Sequence, residues 1–443
     1  MSTSKNLTAK KAGPLQGVTK VPGDKSISHR ALMLGAITVG ETIISGLLEG
    51  EDVLATAEAM RALGAEVSQG SDGLWRVYGT GIGGLKEPKE ALDMGNSGTG
   101  VRLLMGLVAG HAITTKFIGD ESLSGRPMNR VIKPLEMMGA TFEAAEGGTL
   151  PLSVTGSEDT LPLKYRLPVA SAQVKSAILL AGLNAPGCTT VIEERPTRDH
   201  TERMLRHFGL EVDVQDQDDG SQAISIIGQN ELEPCAVDVP GDPSSAAFPA
   251  VAAVINEGSD VRLCKICVNE RRTGLYVTLQ EMGADISFEH ERIEAGEPVA
   301  DIVVRSSGTL KGIEVPAERV PSMIDEFPAL AMAAACANGT TTMSGLAELR
   351  VKESDRLQMI ADGLKACGVK LEMGKDSLTI HGTRKPPKGG ATINTALDHR
   401  IAMAFLVLGT ASDEPITIDD AAPIKTSFPN FEELMEDLGA EIG

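Results

Sequence analysis

Positive charge is in short supply in this chain. Its 443 residues hold 41 Lys and Arg against 61 Asp and Glu, a formal charge of −20. Wrapping a nucleic acid or lying on an anionic membrane takes a broad basic face, so both are set aside as partners. A small anionic ligand is not excluded, because a cleft can be locally positive on a negative surface. Six cysteines in a chain this long do not make a disulfide framework and read as reduced thiols of a cytosolic protein. Cys264 and Cys267 form a lone CxxC in the strand-like "VRLCKICV", with no second pair to complete a metal site, and none is expected. The opening "MSTSKNLTAKKAG" has neither the apolar core of a secretory signal nor the arginine of a transit peptide. The longest apolar stretch, Phe327 to Ala337, falls short of the roughly 18 residues that a bilayer span needs. A soluble, cytoplasmic chain is expected. GxxxxGK[ST], HExxH and GxSxG are also missing. "GTGIGG" (Gly79 to Gly84) fits GxGxxG, but the "LKEPKEALD" that follows carries Pro88 and no apolar helix face, so no dinucleotide site is expected there.

What is present is a phrase repeated six times: "MRALGAEV", "LEMMGATF", "LRHFGLEV", "LQEMGADI", "LKACGVKL" and "MEDLGAEI". Its glycines are Gly64, Gly139, Gly209, Gly283, Gly368 and Gly439. A Leu or Met stands four residues before each, and an apolar residue directly before it, so both lie on one helical face while the glycine ends the helix. Alternating strands around a turn follow, as in "VKLEMGKDSLTIHG". Upstream, Gly40, Thr42, Gly46 and Leu47 match Gly339, Thr341, Gly345 and Leu346 at the single offset of 299. The chain therefore reads as α/β, six copies of a strand–helix–strand–helix–hairpin unit of about 70 residues. "VPGD" recurs at Val239 to Asp242, where a second set of three begins. Two domains are expected, 21–239 and 1–20 with 240–443, hinged near 20–22 and 239–241.

The informative residues are those one copy has and its sisters lack. "GDKSISHR" sets Lys25, Ser26 and Arg30 at a helix start whose apolar face is Ile27, Ala31 and Leu34. Free N–H groups, hydroxyls and cations there make a cradle for phosphate or carboxylate. The matching "VPGDPSSAAF" keeps the turn and drops the cations, so the architecture does not require them. "MGNSGTGVRLL" is a second glycine-rich approach to a helix, and "VASAQVKSAILLAGL" opens a third with Ser171 and Gln173. "PSMIDEFPAL" puts Asp325 and Glu326 at the head of an apolar helix, where acidic residues are favoured in any case. "RVKESDRL" carries Lys352 and Arg356 at i, i+4 with Glu353 beside them, a pattern that on its own reads as a solvated helical face. "LDHRIAM" brings Arg400 and "IKTSFPNF" brings Lys425. For His29 and His399, only packing or hydrogen bonding is read.

Together "PGDKSISHR", "GNSGTGVR", "GRPM", "SAQVKSA", "ELRVKESDR" and "DHRIAM", in this order over essentially the whole chain, resemble the bacterial EPSP synthases, the 3-phosphoshikimate 1-carboxyvinyltransferases. The resemblance implies two inside-out α/β domains of three units each, with the active site in the cleft between them and closing on its ligands. It implies that the 5-hydroxyl of shikimate 3-phosphate attacks phosphoenolpyruvate and that phosphate then leaves, in the route to chorismate and the aromatic amino acids. Carried over, Lys25 bridges both substrates. Shikimate 3-phosphate falls to Ser26, Arg30, Ser171, Ala172, Gln173, Arg198, Asp325 and Lys352. Phosphoenolpyruvate falls to Asn96, Gly98, Thr99, Arg126, Gln173, Arg356, Arg400 and Lys425. Asp325 takes the hydroxyl proton, and Glu353 exchanges one with the methylene carbon. No metal or organic cofactor is implied, and a monomer is expected. Glycine at 98, where insensitive members carry alanine, implies inhibition by glyphosate. Two rivals remain: the sister transferase acting on UDP-N-acetylglucosamine, whose loop cysteine is missing from "GDESLSGRPM", and an acidic six-unit DNA clamp, which would need a basic face in every copy.

Overall fold

The fold is described from a computed structural model covering residues 5–308 and 310–443. The chain divides into two compact units. The first is Gly23–Val239 with the short segment Ile293–Glu297; the second holds the residues up to Pro22, Pro240–Arg292 and Pro298–Gly443.

All six glycines of the repeated phrase have positive φ, from 80° to 106°, and each follows a helix. The helix stops there because that backbone conformation is open to glycine at little steric cost. Among the described residues the strands form six four-stranded sheets of one plan: a parallel edge strand, a central strand, and two further antiparallel strands, a hairpin in all but the last sheet. In the first unit, strand 236–238 runs parallel to Val39–Ser45, which pairs with Trp75–Thr80 and through it with Glu66–Gln69. Leu92–Asp93 and Lys164–Arg166 lead the two sister sheets in the same way. The second unit needs help from the start of the chain. Gln16–Thr19 is the parallel edge on Asp260–Cys267, and Leu7–Lys10 sits between Ile416–Ile418 and Glu441–Ile442 to complete the last sheet. Strand 236–238, although it directly precedes the second set of helices, closes the first repeat's sheet instead.

One helix directly precedes the central strand of each repeat: α1 (Lys25–Ala36), α2 (Gly98–Ala109), α3 (Ala172–Gly182), α4 (Pro243–Ile255), α5 (Phe327–Cys336) and α6 (His399–Gly409). These form the centres of the units. The expected one-sided apolar face of α1 is corrected here. From Ile27 to Ala36 every residue is buried, Ser28, His29 and Arg30 included, because sheet and neighbouring helices cover it on all sides. Helices α4, α5 and α6 pack on one another as an alanine-rich trio, the small side chains allowing close approach. Each large aliphatic side chain placed there, such as Leu330 or Leu406, adds about 1.5–3 kcal/mol by leaving water. Among the described residues no helix is long and apolar enough to cross a membrane.

Helices α2 and α3 meet where α2 has no side chain. A Cβ at Gly106 would stand 2.5 Å from Ala177 Cα and closer still to its carbonyl oxygen, which is backbone and cannot swing aside. Gly106→Ala is therefore expected to push the two helices apart and destabilise the chain by about 1–3 kcal/mol. An unshifted urea midpoint for this variant would contradict that packing.

Candidate active site

In the first unit three helix starts carry the residues singled out in the sequence. Asp24 caps α1, its carboxylate accepting from Ile27 N at 2.9 Å. The cap leaves Lys25 at the first helical position, where its ammonium pairs with Asp52 Oδ2 at 2.8 Å on the helix Glu51–Ala62. Arg30, one turn on, is 4 % exposed. Its Nη1 donates to Ser26 O at 2.9 Å, Nε to Thr201 Oγ1 at 2.8 Å and Nη2 to Ser176 Oγ at 2.8 Å. Burial draws its pKa down to about 10, with Glu202 and Asp24 opposing and Arg198 adding to the fall. The guanidinium stays charged at neutral pH, and Arg198 is its cationic neighbour. Behind it Lys175, fully buried, bridges Glu193 at 3.0 Å and Glu202 at 2.7 Å, and Thr197 Oγ1 donates to Glu193 at 2.7 Å.

At α2, Ser97 caps Gly100 N at 3.1 Å. Asn96 Nδ2 donates to Asp120 at 2.6 Å, while Asn96 Oδ1 accepts from Arg126 Nη2 at 2.7 Å. Gly98 leaves room for that arginine: a Cβ would lie 2.9 Å from Arg126 Nη1 and 3.4 Å from Arg102 Nη1. Ser171 caps α3. Gln173 is held from both sides, accepting from Arg102 Nη1 at 2.9 Å and donating to Thr99 Oγ1 at 3.0 Å, which fixes how its amide is turned. Thus Lys25, Ser26 and Arg30 share one helix start, Asn96 joins Arg126, and Thr99 joins Gln173. Ser171, Ala172 and Arg198 are half-buried, and Arg198 is a charged neighbour of Arg30.

In the second unit one guanidinium gathers the cluster. The solvated helical face expected for Lys352–Arg356 is corrected. Residues 347–351 form a 3₁₀ turn, the helix begins only at Arg356, and that residue is 1 % exposed. Arg356 Nη1 reaches Asp325 Oδ1 at 3.1 Å, Nη2 pairs with Glu353, and Nε and Nη2 reach the two oxygens of Asp398 at 2.8 and 3.3 Å. Burial alone would lower its pKa; Asp398, Glu353 and Asp325 outweigh it and hold the group well above the ordinary arginine value. Lys352 Nζ also pairs with Asp325 Oδ1 at 3.3 Å, and Arg400 Nη1 donates to Asp325 O at 3.4 Å. Lys425 is exposed in the turn Ala422–Thr426 and is not tied into this cluster among the described residues. Two carboxylates, Asp325 and Glu353, and three cations, Lys352, Arg356 and Arg400, are therefore drawn together within this unit.

Sequence reasoning passed over Asp52, Arg102, Lys175, Glu193, Glu202 and Asp398. Two left a signal: Lys175 is a charge inside the apolar run "AQVKSAILL", and Asp398 is the residue before a helix start, as Asp24 is.

A family model of EPSP synthase (3-phosphoshikimate 1-carboxyvinyltransferase) matches residues 9–435. The chain belongs to the EPSP synthase family. It is 62% identical over 442 residues to the 3-phosphoshikimate 1-carboxyvinyltransferase of Paramagnetospirillum magneticum, covering 100% of this chain and 99% of that one. The like-named protein of Parvibaculum lavamentivorans is 62% identical over 438 residues, 99% and 97% of the two chains. Among solved structures, EPSP synthase from Acinetobacter baumannii superposes with a TM-score of 0.87 at 47% identity over the full length of both. The α/β fold anticipated from the repeats and from the resemblance is that of this family.

The EPSP-synthase motif "SHR" contains a group that must stay neutral. His29 is fully buried, its Nδ1 on Thr56 Oγ1 at 2.8 Å, and burial, then Lys25 and Arg30, push its pKa down to about 3 against a small pull from Asp24. The unfolded chain, with His29 near 6.5, binds the extra proton first as pH falls. Its contribution is complete above pH 6.5 and is lost down to about pH 3, on the order of 4–5 kcal/mol in all. His29→Asn, which keeps a polar atom toward Thr56, should lose clearly less stability than the wild type between pH 7 and pH 4 in urea titrations. Parallel losses would mean that His29 does not carry this acid sensitivity.

Proposed function

We propose that the cations of the two units serve one reaction on two small anions. The reaction is that of the family: the enolpyruvyl group of phosphoenolpyruvate passes to the 5-hydroxyl of shikimate 3-phosphate, and phosphate is released. Ser26, Arg30, Ser171, Ala172, Gln173, Arg198 and Lys352 hold shikimate 3-phosphate, with Asp325 against its hydroxyl. Asn96, Gly98, Thr99, Arg126, Gln173, Arg356, Arg400 and Lys425 hold phosphoenolpyruvate, and Lys25 touches both ligands.

The observation that carries this reading is the cluster on Arg356, which pairs with Asp325 and Glu353 at once. Addition to an enol needs one group to accept the hydroxyl proton and another to protonate the methylene carbon. Asp325, paired with Lys352 and Arg356, becomes the acceptor once the hydroxyl lies against it. Glu353, freed from Arg356 and protonated from solvent, delivers that proton to the methylene carbon and takes one back from the resulting methyl, while phosphate departs with the proton that Asp325 accepted. When the ligand carboxylate binds Arg356, it replaces one or both side-chain carboxylates and frees them for proton transfer. Fixed cations around phosphate and carboxylate stabilise the tetrahedral adduct without reorganisation. The chain acts as a monomer, since closure on the ligands needs both halves free, and in the cytoplasm, where its six free thiols stay reduced. The chain passes from one domain to the other near 20–22 and 239–241.

Two experiments test this. Shikimate 3-phosphate with phosphoenolpyruvate should release inorganic phosphate. UDP-N-acetylglucosamine in place of the shikimate should not, and no release with either would point to the clamp. Asp325→Asn should lower kcat by about 10²–10⁴-fold with the chain folded; undiminished kcat would remove it as the base. Glyphosate is expected to compete with phosphoenolpyruvate. In Gly98→Ala the added methyl meets Arg126 Nη1 at 2.9 Å. Inhibition should weaken by roughly 10-fold or more, the scale of one methyl in a tight pocket, with a smaller rise in KM for phosphoenolpyruvate. Unchanged inhibition in that variant would sink the steric account.

A further inference from the structure

A helix cap asks one oxygen of a carboxylate, and Asp398 uses both. Oδ1 accepts from Arg400 N at 3.0 Å, which is the cap of α6, and also from Arg356 Nη2 at 3.3 Å. Oδ2 accepts from Arg356 Nε at 2.8 Å and from Ser354 Oγ at 3.0 Å. Asp398 is fully buried, whereas the side chains of Asp325 and Glu353, the other carboxylates on Arg356, are 13% and 21% exposed.

The three are therefore not equivalent partners. Asp325 and Glu353 can be displaced toward water by an arriving carboxylate. Asp398 has nowhere to go, and it grips the Nε side of the guanidinium while the cap fixes its own position. Through these bonds one side chain sets the orientation of Arg356, the course of the loop at Ser354 between Lys352 and Arg356, and the helix start from which Arg400 projects.

We infer that Asp398 is a positioning residue for phosphoenolpyruvate: it aims Arg356 and Arg400 at the ligand carboxylate and holds Arg356 in place while Asp325 and Glu353 are released to the chemistry. The inference rests on the assignment of Arg356 and Arg400 to phosphoenolpyruvate made above. The alternative is that Asp398 is only a cap. Asp242 shows that a cap can reach an arginine for packing alone, since it caps α4 and pairs with buried Arg272 at 2.9 Å. Asn caps about as well as Asp, so Asp398→Asn separates the two roles. Its carbonyl can keep the bond to Arg400 N, but its amide would turn N–H groups toward the N–H of Arg356 Nε.

The test measures KM for each substrate and kcat in the wild type and in Asp398→Asn, with a thermal midpoint for each. The expected result is a 20-fold or greater rise in KM for phosphoenolpyruvate, KM for shikimate 3-phosphate within threefold, and a midpoint shifted by only a few degrees. Equal changes in both KM values, or none, overturn the positioning role while leaving the functional reading intact. A wild type that releases no phosphate from the pair overturns that reading and this inference with it. Should Asp398→Asn not fold, Ser354→Ala decides, since it removes one bond to Oδ2 and leaves the cap. A two- to fivefold rise confined to phosphoenolpyruvate supports the role, and a parallel or absent change overturns it.

Discussion

A guanidinium taken out of water must be compensated by the chain itself, and Arg30 and Arg356, one in each unit, are compensated in opposite ways. Arg30 is surrounded by two hydroxyls and a carbonyl, and its pKa falls to about 10. Arg356 is surrounded by three carboxylates and rises. Neutral acceptors leave the charge of Arg30 unspent, which is what the phosphate proposed to bind there requires. Carboxylates cancel the charge of Arg356, and on the proposed reading they do so until a ligand carboxylate takes their place. On that reading Arg30 serves capture and Arg356 serves exchange. Exchange suits the position where the displaced groups are the ones proposed to move protons.

The network behind Arg30 shows how an open cation is kept at rest. Lys175, Glu193 and Glu202 bury one positive and two negative charges together. Thr201 and Ser176, the direct partners of Arg30, bond to each other at 2.8 Å. The surplus negative charge of the trio lies on the far side of those hydroxyls, where it offsets the burial of Arg30 without occupying its hydrogen-bonding edge. A carboxylate placed directly on that edge would hold the arginine more strongly and bind phosphate more weakly.

The repeat was legible because it is enforced locally. A positive φ at Gly64 or Gly368 and an apolar residue four positions earlier are properties of one helix end, and they survive in every copy. The motifs of Lys25, Asn96 and Gln173 were legible for a related reason, since each opens a helix and the start is marked by its cap. The course of the chain at Lys352–Arg356 was not. The i, i+4 spacing of Lys352 and Arg356 fits a helix, yet Ser354 and Arg356 are drawn to Asp398, more than forty residues away, and the helix starts late. Asp52, Glu193 and Glu202 were invisible for the same reason: each matters through a partner at a distance in sequence, and nothing in its own neighbourhood distinguishes it from a surface acid.

That distinction also reconciles an acidic chain with anionic ligands. A formal charge of −20 spread over the surface acts on an approaching anion through water and salt, where exposed charges fade over about 8 Å. Arg30, Arg126, Arg356 and Arg400 are each less than a tenth exposed, and on the proposed reading they meet the ligands at hydrogen-bonding distance. The near field therefore outweighs the far one for a ligand small enough to reach them. A long polyanion, which cannot leave the outer field, feels mainly repulsion. The same charge distribution that would reject a nucleic acid admits a phosphorylated metabolite, and selection between them needs no additional device.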